Sequence, residues 1–158
     1  MRSILKVLPL ALLMGGALAC EEDNLGFTGD FILSVNETED TCDGVKNTGI
    51  QSQVEISGTP EALQVRFGDE ALLTGGLNAQ NFFQVEGPAT VVVEVDGEPV
   101  EVESFMVLIF EVTAQGRRLE VREGSMLSFD GTHPAAPGQM CVQKFQGTGQ
   151  RASLGVLL

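Results

Sequence analysis

The stretch Val91-Val92-Val93-Glu94-Val95-Asp96-Gly97-Glu98-Pro99-Val100-Glu101-Val102-Glu103-Ser104 decides the fold class. On both sides of Asp96-Gly97 a valine recurs at every second residue, the period of a strand. Asp-Gly is the pair favoured in a two-residue hairpin turn, where both central residues sit at positive φ. The segment therefore predicts two antiparallel strands joined tightly. On the return strand Val100 and Val102 point one way, Glu101 and Glu103 the other, so one face is packed and one is wet. Beyond it, Phe105-Met106-Val107-Leu108-Ile109-Phe110 is apolar on both faces. Its outer face needs cover, either from the chain itself, with residues 154–158 as the candidate, or from a partner that meets Phe105, Val107 and Ile109.

The same period runs outward from this hairpin. Phe31, Leu33 and Val35 alternate with Ile32 and Ser34. Ile50, Ser52, Val54 and Ile56 alternate with Gln51, Gln53 and Glu55, and Leu63, Val65 and Phe67 with Gln64 and Arg66. Shorter strands are expected near 71–73, 82–86, 119–122, 126–129 and 141–146. Turn signals separate the runs at Ser57-Gly58-Thr59-Pro60, Gly68-Asp69-Glu70, Gly75-Gly76, Gly87-Pro88 and Gln115-Gly116. No segment has the spacing of an amphipathic helix. A chain of 158 residues suits one domain. Eight or nine short strands with tight links predict an all-β, antiparallel up-and-down meander, closed into a small barrel over residues 29–158. A β-sandwich is the alternative. A barrel of this size is either filled by its side chains or holds one small ligand.

Residues 1–19 read as an address. Arg2 and Lys6 precede an apolar run, Val7 to Met14, which ends in the small residues Gly15, Gly16, Ala17 and Ala19. That is the layout of a secretory signal, too short and wrongly flanked for a membrane span. Ala17-Leu18-Ala19-Cys20 resembles the lipobox of bacterial lipoproteins. The resemblance implies cleavage before Cys20, diacylation of its thiol, and a membrane anchor. Residues 20–28 then form a polar tether, and Glu21 after the cysteine tilts the sorting toward the outer membrane. The family prefers Leu where Ala17 stands, so ordinary cleavage after Ala19 remains the alternative.

With Cys20 acylated, Cys42 and Cys141 are left as a pair, and export places them where disulfides form. Cys42 follows the first strand and Cys141 begins the last. In a closed barrel those strands are neighbours, so the bridge and the closure imply each other. Two buried thiols are the alternative; neither cysteine has a second Cys or a His at metal-ligand spacing.

Loss of residues 1–19 removes two of nine cations and none of 22 acids, which leaves seven against 22 and a charge of −15. This argues against nucleic acid as a partner. The chain has no Trp, no Tyr and one His. Histidine-based catalysis has only His133, in the loop sequence Gly131-Thr132-His133-Pro134, where composition predicts an exposed side chain. Gly124-Ser125-Met126 lacks the second Gly of a nucleophile elbow. Asp40-Thr41-Cys42-Asp43-Gly44 lacks the calcium-loop spacing. We expect no catalytic residue, no metal and no cofactor.

Gly29-Asp30-Phe31 and Arg151 loosely resemble lipocalins, which carry Gly-x-Trp on the first strand and a late Arg packed over that ring; here Phe31 replaces the Trp. The resemblance implies a carrier for a small apolar ligand, with Phe31, Val93, Met106 and Leu108 as candidate pocket wall. The expected function is a non-enzymatic cell-envelope lipoprotein, a binding or structural module. The carrier is the first alternative, and an envelope enzyme the second.

Overall fold

In the computed structural model, residues 26–42, 48–95, 97–129 and 133–152 are described. Eight strands follow in chain order: β1 (Gly29–Asp40), β2 (Ile50–Thr59), β3 (Ala62–Phe67), β4 (Ala71–Leu77), β5 (Phe83–Val95), β6 (Glu98–Thr113), β7 (Arg118–Ser128) and β8 (Cys141–Arg151). Each pairs antiparallel with the next, and β8 returns to β1, so the meander closes into a barrel. The expected fold class holds. A single 3-10 turn, Ala114–Gly116, joins β6 to β7.

Alternation builds the wall as the sequence reading requires. Along β1 Phe31, Leu33 and Val35 are buried while Ile32, Ser34 and Asn36 face water. Gly97 turns the central hairpin at φ 85°, a conformation glycine adopts at no steric cost; Asp96 lies outside the described residues. Val100 pairs with Val93 and Val102 with Val91, in the register expected of a two-residue loop.

Three expected breaks are not breaks. Residues 83–86 and 91–95 belong to one strand, β5, running through Gly87-Pro88. The N–H of Thr90 donates to the Glu70 carbonyl on the β4 side, so by alternation the N–H that Pro88 lacks also falls there. Pairing of β5 with β4 is interrupted at that point, between Ala71–Ala89 and Thr74–Glu86, whereas pairing with β6 is continuous. Gly75-Gly76 likewise lies inside β4. Leu119 and Met126 share one strand, β7, with a bulge between Val121 and Gly124.

The bulges decide which side chains face the interior. On β7 the inward set is Leu119 and Val121 before the bulge, and Gly124, Met126 and Ser128 after it, a change of parity. On β1 an extra residue between Glu37 and Glu39 has the same effect. It turns the parity so that Cys42 is buried and bonded to Cys141, with a Cα–Cα distance of 4.9 Å. The expected disulfide is present.

The core occupies one half of the barrel. Phe31, Ile56, Leu63, Leu73, Val85, Leu108, Phe110 and Leu119 have no solvent contact beyond 1%. Phe27 closes that end, with ring centroids 5.2 Å from Phe83, which lies 5.4 Å from Phe110. Arg151 completes the closure. Its guanidinium carbon stands 4.9 Å from the centroid of the Phe31 ring, and it donates to the carbonyls of Gly116 (2.6 Å) and Gly26 (3.1 Å). A cation over an aromatic face, with its N–H groups on backbone acceptors, satisfies both partners at a barrel mouth.

The outer face of the run 105–110 is half-buried. Phe105 lies between its cross-strand partners Pro88 and Leu127, Val107 between Glu86 and Ser125, and Ile109 between Gln84 and Glu123. Lateral neighbours on the sheet therefore supply part of the cover. The expected cover by residues 154–158 lies outside the described residues.

Candidate functional site

The other end of the barrel is hollow. The physical cause is a change in side-chain volume at inward positions. Toward the closed end these are Phe, Leu, Ile and Val; toward the open end the wall also includes the small residues Ser52, Ala71 and Ala89. Ala71 and Ala89 face each other directly across β4 and β5, so two adjacent wall positions both contribute a methyl group. Small residues on a wall of fixed radius leave space that nothing fills. The result is a cavity of about 710 Å³, within the size range of small-molecule sites.

Its apolar wall includes Leu33, Val35, Ile50, Phe67, Met106, Met126 and Phe145. Met106, Met126 and Gln143 are successive cross-strand partners on β6, β7 and β8. Two flexible thioethers side by side let such a wall adapt to irregular ligands. The Phe145 ring lies over Gly124, where a Cβ would collide with it, so that glycine fixes the ring's seat on the wall.

Polar groups gather at the rim. Gln143 Nε2 donates to Glu37 Oε1 (3.1 Å) and to Asp40 Oδ2 (3.0 Å). Asp40 Oδ1 accepts from the Cys42 N–H at 2.6 Å. Thr41 and Val142 exchange bonds at 2.9 and 2.8 Å beside them. These contacts anchor the end of β1 to β8 beyond the bulge. On the outer wall Glu39 holds Lys144 at 2.7 Å, and that hydrogen bond keeps the ammonium pKa above its ordinary value. Arg122 is held likewise by Glu111.

Of the four expected pocket residues, Val93 and Met106 line the cavity. Phe31 and Leu108 do not: both are 0% exposed and belong to the packed half. Phe31 lies under Arg151 at the closed end, and Leu108, two residues along β6 from Met106, points into the solid core.

His133 also departs from expectation. It is 6% exposed, not a solvated loop side chain. One of its ring nitrogens and the two cystine sulfurs fall within 4.8 Å of one another, and it lines the cavity. Nδ1 accepts from the Ala135 N–H at 3.2 Å. Loop composition conceals this burial, because the contact is with residues distant in sequence. Thiolates bind metals, and both sulfurs here are spent on each other, so the disulfide form offers no such pair. Cys20 lies outside the described residues.

No protein-family model, no curated protein and no solved structure matches this chain.

Proposed function

We propose that the chain is an exported, lipid-anchored envelope protein whose barrel carries a small apolar ligand and does no chemistry on it. The cavity carries the reading. A domain built only as a scaffold gains stability from a filled interior, since each void forfeits contacts. Here one half is packed to exclusion and the other is open, with an apolar wall and a polar rim. That is the layout of a binding site. The Arg151–Phe31 stack sits where the lipocalin resemblance expects one, which supports the carrier reading over a purely structural module. Native mass spectrometry of the protein isolated from a bacterial membrane fraction tests it. A small molecule that leaves on denaturation is expected; a uniformly empty barrel counts against the carrier.

The anchor rests on Ala17-Leu18-Ala19-Cys20 and on the pairing of the other two cysteines with each other, which leaves Cys20 without a disulfide partner in the chain. Two acyl chains hold a protein to a bilayer where one is marginal. Metabolic labelling with a fatty acid is expected to mark the wild type and not Cys20→Ala. Labelling of both, or of neither, defeats the anchor.

A further inference from the structure

Charge is distributed unequally along the barrel axis. Arg117, Arg118 and Arg151 lie at the closed end, in the β6–β7 turn, at the start of β7 and at the end of β8, with Asp30 and Glu61 as the acids of that end. The open half carries Glu37, Glu39 and Asp40 on β1, Asp69 and Glu70 in the β3–β4 turn, and Glu94 and Glu98 on the central hairpin, against Arg66 near the end of β3 and Lys144 on β8, which Glu39 holds on the outer wall. Among the described residues lining the cavity there is no Lys and no Arg. At the rim Gln143 Nε2 donates to both Glu37 and Asp40.

We propose that the cavity's ligand is a cationic amphiphile, an apolar chain or ring system bearing an ammonium group, and not a fatty acid. This rests on the carrier reading above. The apolar body fills the space beside Met106 and Met126, and the ammonium group meets the carboxylates at the mouth. Apolar walls with like-signed charge at an opening focus the field there and raise the local concentration of the opposite ion. An ionised carboxylate brought to the same place meets like charge and loses hydration. Desolvation disfavours both ions, so the sign of the rim decides between them.

The test uses three ligands of one chain length: dodecylamine, dodecanol and dodecanoate, each below its micelle concentration. They compete with the neutral probe N-phenyl-1-naphthylamine on the full-length oxidised mature protein, at neutral pH and low salt. The chain has no Trp or Tyr, so probe emission is read without interference. Dodecylamine is expected to displace the probe at least tenfold more effectively than dodecanoate, a difference of about 1.4 kcal/mol, with dodecanol between them. Added salt narrows the gap, because exposed rim charges are screened. Glu37→Gln, or Glu70→Gln in the exposed turn should the first not fold, also narrows it. Dodecanoate binding as well as the amine, or better, overturns the charge assignment and leaves the carrier standing. A protein that takes up neither the probe nor any of the three overturns both.

Discussion

Replacing Cys42 and Cys141 together by alanine is expected to lower the unfolding free energy by about 4–5 kcal/mol, the loop-closure estimate for some 100 residues. The two cysteines are separated by 99 positions, and the bond joins the strands that close the ring. Every other neighbouring pair in the barrel is consecutive in the chain, so its contacts form at small entropic expense. The β1–β8 seam joins the two ends of the fold, and its closure restricts nearly the whole domain. The seam is also locally weak on the cysteine side, where the bulge at Glu37–Glu39 interrupts the ladder. Chemical denaturation of the oxidised, reduced and double-alanine forms measures the effect. The reduced form and the variant should unfold together, with a melting temperature lower by about 10–20 °C for a domain of this size. A loss below about 1 kcal/mol would mean that the seam's hydrogen bonds alone close the ring, and that the loop-closure account fails here.

Fold class was legible because it depends on short-range signals. The Asp96-Gly97 turn and the alternating valines around it determine a register, and a register in one hairpin propagates through a meander. What stayed illegible depends on which neighbour a residue meets. Gly87-Pro88 reads as a turn, yet lies within β5 because the donor Pro88 lacks falls on the side where β4 pairing is interrupted. The bulges at Glu37–Glu39 and Val121–Gly124 reverse inside and outside beyond them, so Cys42 and Met126 face inward out of phase with the residues before them. Nothing in local sequence marks either bulge. His133 reads as a loop residue because its flanks are Gly, Thr and Pro; the cystine beside it joins the end of the first strand to the start of the last. The cavity did leave a trace. Inward positions on β4 and β5 carry Ala71 and Ala89, with Phe67 beside them on β3 and Ser104 on β6, a volume deficit visible once the inward set is known.

That deficit can be filled by substitution, and doing so separates binding from stability. Ala89→Phe places a ring in the hollow, opposite Ala71 and on the wall that Met106 shares. Affinity for the neutral probe is expected to fall at least a hundredfold, about 2.7 kcal/mol. The fold should not suffer, because the ring enters empty space and buries apolar area worth about 2 kcal/mol. Phe110→Ala is the opposite experiment. Phe110 is 0% exposed in the packed half and stacks on Phe83. Its truncation should cost about 3–5 kcal/mol in stability. Probe affinity, measured well below the lowered melting point, should hardly change, since the residue does not line the cavity. Should the alanine variant fail to fold, Phe110→Leu poses the same question with a smaller loss. If Ala89→Phe binds the probe like the wild type, the hollow end is not the binding site. If it binds normally and is also destabilised by several kcal/mol, the space is not there to be filled. If both variants lose affinity and stability together, the two halves of the barrel act as one unit, and the division between a solid base and an open cup is a static description without energetic content.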